Sequence, residues 1–459
     1  MIKRILSVAI AGQLATLGLY STSAQAAVKI NPQGIGQVLI YPYYTVNNDI
    51  NTLISVVNTT DKVKATNIRF YEGKNNRDTL NFHIYLAPYD VWTAALVATP
   101  STISSYEGQP SAKLLTNDNT CTVPQNISES EFRPYGYRGG DGYDDPIDGN
   151  MSRVTEGHIQ VFEMGNVEGD FAQYAIFSGN SPNNCFDLER LWFNNGSWAT
   201  NPNEGLTSSN GIGGLYGSAS LIDVAGGFDV SYNATAIQGY STVLQHAEPG
   251  TILPHLNSGN SLESIVSTGT GYKNITWDKP FKAISAVLSA NEIYGDFVNS
   301  TGIGANTEWA ITFPTKQFYV DPLFAPSTTP IAPFSETINE NGSCESAQIA
   351  LYNRETENDM TQTKVDLCWG VNTIEYLQQT NSNDSAIFAS KNVSKIVSSY
   401  DTGWTKLIFN QTATSEGSTL TGLPVTGFAI QRYVNANLSG GVLANYGGLF
   451  PFVSKQNIE

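Results

Sequence analysis

The chain has 459 residues, with 24 Lys and Arg against 41 Asp and Glu and a formal net charge of −17. No basic stripe exists to displace phosphate counterions, so a nucleic-acid or anionic-membrane partner is excluded on charge. Only 14% of residues are charged, while Gly contributes 41, Tyr 23 and Phe 20, a composition that suits a large extracellular β-protein better than a helical enzyme.

The first residues read as a targeting segment. Lys3 and Arg4 form a basic start, Ile5 to Tyr20 is mostly apolar and uncharged, and Ser23, Ala24, Gln25 and Ala26 supply the small-x-small pattern of a cleavage site. A cut after Ala26 leaves 433 residues and, with Lys3 and Arg4 gone, a net charge of −19. No later stretch approaches the roughly 18 apolar residues of a membrane helix. The expected location is extracellular or on the outer cell surface, with the periplasm as the alternative. Four cysteines follow the cut, an even number in an exported chain, and no C-x-x-C occurs among them. Of the three possible pairings, Cys121 with Cys185 and Cys344 with Cys368 is expected, because the two pairs lie far apart in sequence.

Taken in chain order, residues 27–105 read as an immunoglobulin-like β-sandwich. Leu53 to Val57 is an apolar strand, Asn67 to Phe70 alternates, and Leu80, Phe82, Ile84 and Leu86 face one way while Asn81, His83 and Tyr85 face the other. Pro88 to Asp90 turns the chain before Trp92 to Leu96. A β-rich middle region, 106–325, begins inside a polar stretch, Ser101 to Asn150, that reads as a long surface excursion pinned by Cys121. Gly157 to Met164, Phe171 to Phe177, Ser218 to Tyr232 and Trp309 to Phe313 read as strands. The apolar spacing in Phe281 to Ile293 predicts one short helix. Asp321 to Glu336, with four prolines, is the linker candidate. The C-terminal region, 326–459, opens with a hairpin of Cys344 to Tyr352 and Thr363 to Trp369 and continues with Trp404 to Phe409, Gly427 to Val434 and the Gly- and aromatic-rich Gly440 to Phe452. The expected fold class is mainly β: an N-terminal sandwich, a larger β-rich body with long loops, and one short helix.

The segments NTLISVVNTTDKVKATNIRFYEGKNNRDTLNFHIYLAPYDVWTAAL, TEGHIQVFEMG, TEWAITFPTKQFYVD and GGVLANYGGLFP resemble the landmarks of a family of proteobacterial secreted or cell-surface proteins. The resemblance runs over most of the chain after the leader. It implies location and a β-rich architecture and carries no site residue with it.

Catalytic motifs are absent: there is no G-x-S-x-G, H-E-x-x-H or Walker loop. Gly211, Gly213 and Gly214 miss the dinucleotide spacing at Tyr216, and the four histidines, His83, His158, His246 and His255, are scattered singly. Asp141, Asp144, Asp145 and Asp148 stand in the Gly-rich loop GGDGYDDPIDGN, whose carboxylates and flexible backbone suit calcium, although the spacing is not that of an EF-hand. Leu423 to Gly427 spells the sortase pattern without the apolar run and basic tail a sorting signal needs. Asn58, Asn233 and Asn392 begin Asn-x-Ser/Thr triplets that reflect composition. Tyr41, Tyr43, Tyr44, Tyr135 and Tyr137 are candidates to stack on sugars or to pack inside. The function expected is a non-enzymatic structural or adhesion protein, with glycan binding or cleavage as the alternative. Its partners would be cell-surface glycans, other surface proteins or copies of itself through its terminal strand, Ala27 to Ile30.

Overall fold

The computed structural model describes residues 26–140, 142–326, 329–355, 360–378, 384–435 and 444–459. The leader up to Gln25 and Asp141 lie outside the described residues. The fold is mainly β, as the composition implies.

Two sheets form the first sandwich. Its strands are β1 (Lys29–Ile30), β2 (Val38–Thr45), β3 (Ile50–Asn58), β4 (Val63–Glu72), β5 (Asp78–Leu86), β6 (Val91–Pro100), β7 (Pro110–Leu115), β8 (Cys121–Val123), β9 (Ser130–Glu131) and β10 (Glu156–Val167). Sheet I runs β1, Thr235–Gln238, β2, β10, β4, β5, β8; sheet II runs Phe228–Asn233, Leu215–Asp223, β3, β6, β7, β9. The sandwich expected over 27–105 therefore takes in strands as far as Gln238. Alternation places Ile68, Phe70, Phe82 and Ile84 of sheet I against Ile54, Val56, Trp92 and Leu96 of sheet II, all buried. Ser101 to Asn150 is no surface excursion: it supplies β7, β8 and β9 and buries Ile127, Phe132, Tyr137 and Ile147.

A bulge in β2 joins this sandwich to the second. Pro42 and Tyr43 together oppose His158 of β10, with Tyr41 paired to Ile159 and Tyr44 to Gly157. Proline has no N–H for the ladder and is tolerated at such a bulge. The extra residue shifts the alternation, so Leu39, Tyr41 and then Tyr44 face the first core while Tyr43 turns outward onto Phe388 and Phe428.

The second sandwich has sheet III, in the order Val393–Val397, Val371–Leu377, Ala305–Thr312, Thr426–Asn435, Ala444–Pro451, and sheet IV, in the order Met360–Leu367, Glu345–Asn353, Thr402–Ile408, Glu292–Val298, Val453–Lys455. Trp309 and Ile311 of sheet III pack into the core shared with sheet IV, while Ala310, Phe428 and Ile430 pack toward Tyr43 and Tyr232 of the first sandwich. A strand covered on both faces loses its alternation, which is why Trp309 to Phe313 is apolar on both faces, with Thr312 its one polar residue.

Four helices matter for the site. α1 (Gly169–Ala175), α2 (Cys185–Arg190) and α3 (Ser197–Thr200) form a small excursion beside sheet I, and α4 (Pro280–Leu288) seats its apolar face in the second core. Phe171 to Phe177, expected as a strand, is mostly α1: Ala172 and Ala175, three apart, are buried and Phe171 packs edge-on to Trp198. A short apolar run does not by itself separate strand from helix. Phe281 to Ile293 is α4 followed by the start of Glu292–Val298, and the single helix expected becomes five among the described residues.

Cys121 is bonded to Cys185, tying β8 to α2, and Cys344 to Cys368, stapling the Glu345–Asn353 and Met360–Leu367 hairpin at its base. Mass spectrometry of non-reduced, alkylated protein is expected to show no labelled cysteine; recovery of four alkylated thiols from native material would contradict the oxidised state.

Candidate functional site

Two aspartates of the Gly-rich loop, Asp145 and Asp148, hold protein partners through their carboxylates. Asp145, 7% exposed, accepts from Arg153 at 3.0 Å and from Asn75 at 2.9 Å. Asp148 accepts from Asn150 at 2.6 Å, and Asp144 bridges by its backbone to Arg138. Among the described residues no group of three or more His, Cys, Asp or Glu side chains could hold a metal ion. Asp145 instead belongs to a buried network. Arg153 also pairs with Glu72 at 3.0 Å, Asn75 reaches Asp321 at 2.6 Å, and Arg77 pairs with Asp321 at 2.6 Å. Burial pushes the Glu72 carboxyl up, but the Arg153 guanidinium and the N–H groups of Arg77 and Lys74 outweigh it and hold the group below the usual range. Asp321, expected in a linker, is fully buried here and ties the second sandwich to the β4–β5 turn.

The histidines, single in sequence, come to one side of sheet I. His83, His158 and His246 are buried and His255 is half-buried. Burial holds His158 down to about 3 and His246 and His255 down to about 4, so all are neutral at neutral pH. Their contacts are those of a packed polar layer: His158 stacks on Tyr71 at 4.9 Å, and His246 Nε2 lies 2.9 Å from Tyr85 Oη, which accepts from Trp192 Nε1 at 3.0 Å. Among the described residues no serine or cysteine side chain is hydrogen-bonded to one of these imidazoles as a triad requires.

Most of the tyrosines considered for sugar stacking are inside. Tyr41, Tyr43, Tyr44 and Tyr137 are fully buried, and only Tyr135, 60% exposed, keeps a free face. Asn58 is buried, with its amide donating to Lys62 and Ala87 carbonyls, which closes that triplet to modification. Leu423 and Pro424 of the sortase-like pattern form a buried bridge to Ser289 and Ala290.

An exposed aromatic surface exists elsewhere, on the outer face of sheet IV. Tyr352 of Glu345–Asn353 stands opposite Trp404 of Thr402–Ile408, and Trp404 stands opposite Asp296 of Glu292–Val298. The Tyr352 and Trp404 rings are stacked 3.9 Å apart and within 2° of parallel; Tyr294 lies 6.5 Å beyond, tilted by 32°. Trp404 is 41% exposed. Around this ladder stand Asp296 and the pair Lys406–Glu292 at 3.5 Å. Tyr294 donates to Glu292, and that bond, with burial second, holds the phenol up to about 12 while drawing the Glu292 carboxyl below its usual range. The ladder therefore presents two tyrosines, a tryptophan and flanking charges on one face of the sheet. Sequence reasoning missed it because Trp404 and Tyr352 meet only through long-range register. The available signal was the alternation Tyr294, Asp296 and Trp404, Lys406 on two strands whose next inward residues, Phe297 and Leu407, are apolar.

No family model matches this chain, and neither a curated protein nor a solved structure does.

Proposed function

We propose that this is an exported, non-enzymatic adhesion protein that holds glycans on the outer face of sheet IV. The observation that carries this reading is the Tyr294, Trp404 and Tyr352 ladder, because an exposed indole and phenol on a flat, stiff sheet offer apolar faces to the C–H face of a pyranose. Asp296, Lys406 and Glu292 beside it supply acceptors and a donor for sugar hydroxyls. Export is supported by the leader-like first 26 residues and by two disulfides in a chain without C-x-x-C. Binding rather than cleavage is favoured because a hydrolase works with two carboxylates facing across a cleft, whereas the aromatic ladder lies on an open sheet.

The test is a glycan array probed with the chain from Ala27 onward, followed by titration of the strongest hit against Trp404→Ala and Trp404→Phe. Trp404→Ala is expected to weaken binding by at least about tenfold, and Trp404→Phe to retain part of it. If no glycan binds, or Trp404→Ala binds as tightly as the parent, the ladder is a cross-strand stabiliser whose loss costs on the order of 1 kcal/mol.

A further inference from the structure

A second surface, remote in kind from the aromatic ladder, opens where β1 parts from its neighbour. On one side β1 is paired with Thr235–Gln238, Lys29 opposite Gln238 and Ile30 opposite Ile237. On the other side it meets the Glu263–Ser267 strand at one point only: Val28 N–H donates to the Glu263 carbonyl at 2.7 Å and Ile265 N–H to the Val28 carbonyl at 2.8 Å. Beyond Val28 the two strands diverge.

The ladder alternation tells which backbone groups face the gap. Asn31 N–H donates to Ala236, so Ile30, one residue earlier, turns its N–H and C=O away from Thr235–Gln238. In the facing hairpin, Trp277 N–H donates to Leu262 and Thr268 N–H to Gly271, which puts the bonding groups of residues 262, 264, 266 and 268 inside the hairpin. The Ile265 carbonyl and the N–H and C=O of Ser267 therefore point toward β1. Among the described residues none of these groups has a backbone partner. The gap is the mouth of a groove of about 860 Å³ with Val287, Leu288, Ile293 and Phe452 among its apolar lining. Ile30 at 42% and Tyr272 at 80% exposure stand on its rim. Lys29 and Lys455 line it and no carboxylate side chain does, in a protein of net charge −17. Lys455 leans toward Glu292 at 3.8 Å yet stays 63% exposed.

We propose that this groove binds an extended acidic peptide segment of a partner protein by strand addition. Open backbone groups on both walls ask for a peptide chain, because only another backbone satisfies N–H and C=O in alternation. The apolar floor takes every second side chain of such a segment. Two lysines in an acid-free lining select acidic residues, which the rest of this acidic molecule repels.

The experiment titrates the chain from Ala27 onward, by calorimetry, with end-blocked six-residue peptides alternating valine with glutamate or with lysine, and with the glutamate peptide N-methylated at alternate residues. The glutamate peptide is expected to bind, the lysine peptide to bind at least about tenfold more weakly, and N-methylation to abolish binding. Lys29→Glu, at an exposed position on sheet I, is expected to cost a further tenfold or so while the glycan-array result stays unchanged. No heat from the glutamate peptide, binding that survives N-methylation, or saturation by polygalacturonate in place of peptide would each overturn the proposal, the last by making this a groove for acidic glycans.

Discussion

Arg153→Met is expected to lower the free energy of unfolding by about 3–5 kcal/mol, the cost of leaving buried carboxylates without their counterion. The side chains of Arg153, Glu72 and Asp145 are all fully buried. Arg153 reaches Glu72 at 3.0 Å by one guanidinium nitrogen and Asp145 at 3.0 Å by another, and lies 4.2 Å over the Tyr137 ring. Methionine fills much of the same space but supplies no charge. Glu72 keeps the N–H groups of Lys74 at 2.7 Å and Asn75 at 2.8 Å, and Asp145 keeps Asn75, so the two carboxylates stay solvated in part by the protein. Neutralising them as well, in the triple variant Arg153→Met, Glu72→Gln, Asp145→Asn, should recover a large part of the loss, because a buried ion network is worth little beyond the cost of breaking it halfway. Denaturant unfolding at neutral pH measures both. A single variant within 1 kcal/mol of the parent, or a triple variant less stable than the single, would show that the network is not what holds the 134–156 segment in place.

That segment marks the limit of what the sequence made legible. The alternation of Leu80, Phe82, Ile84 and Leu86 and the hairpin around Cys344 and Cys368 are local patterns, and both stand in the fold as read. The polar stretch from Ser101 to Asn150 read as surface because most of what buries it is distant in sequence. Asp145 is held by Arg153 and by Asn75 of the β4–β5 turn, and Arg77, paired with Asp321 far downstream, donates to the Gly136 and Tyr143 carbonyls; with these in place a charged loop becomes interior. The first sandwich was cut short at residue 105 for the same reason: Leu215–Asp223 pairs with β3 across more than 150 residues, a contact no window on the sequence contains. For IYPYY the sequence left sugar stacking and inward packing both open; the bulge at Pro42 turns Tyr43 away from the side that Tyr41 and Tyr44 face, and all three are buried. The ladder on sheet IV depends on which residue of one strand stands opposite which of the next, and register is fixed by the whole sheet.

The second large effect is a contribution to stability from Glu308 that falls as pH rises through the weakly acidic range, against the opposite trend of the buried histidines, which parent and variant share. This residue lies on Ala305–Thr312, faces the first sandwich and is fully buried. Its two oxygens accept from the N–H groups of Ile387 and Phe388, the latter at 3.1 Å. Burial pushes the carboxyl up, those N–H donors pull it back only in part, and the neighbouring Glu375 adds to the rise, leaving Glu308 at about 7. In the unfolded chain the same group titrates near 4.5. Between these values the folded protein holds a proton the unfolded chain has released, so the contribution is fully present below about pH 4.5 and is lost as pH rises toward 7. At about 1.4 kcal/mol per unit, the loss is on the order of 3 kcal/mol. Glu308→Gln removes the titration. Its amide cannot accept both N–H groups, so the variant carries a constant penalty, and the informative quantity is the difference in unfolding free energy between variant and parent as a function of pH. That difference is expected to shift in favour of the variant by about 3 kcal/mol between pH 4.5 and 7. Lys316, which burial lowers to about 7, titrates in both proteins and cancels. Parallel stability curves for parent and Glu308→Gln over this range would show that Glu308 is ionised in the fold and that the N–H groups of Ile387 and Phe388 suffice to hold its charge.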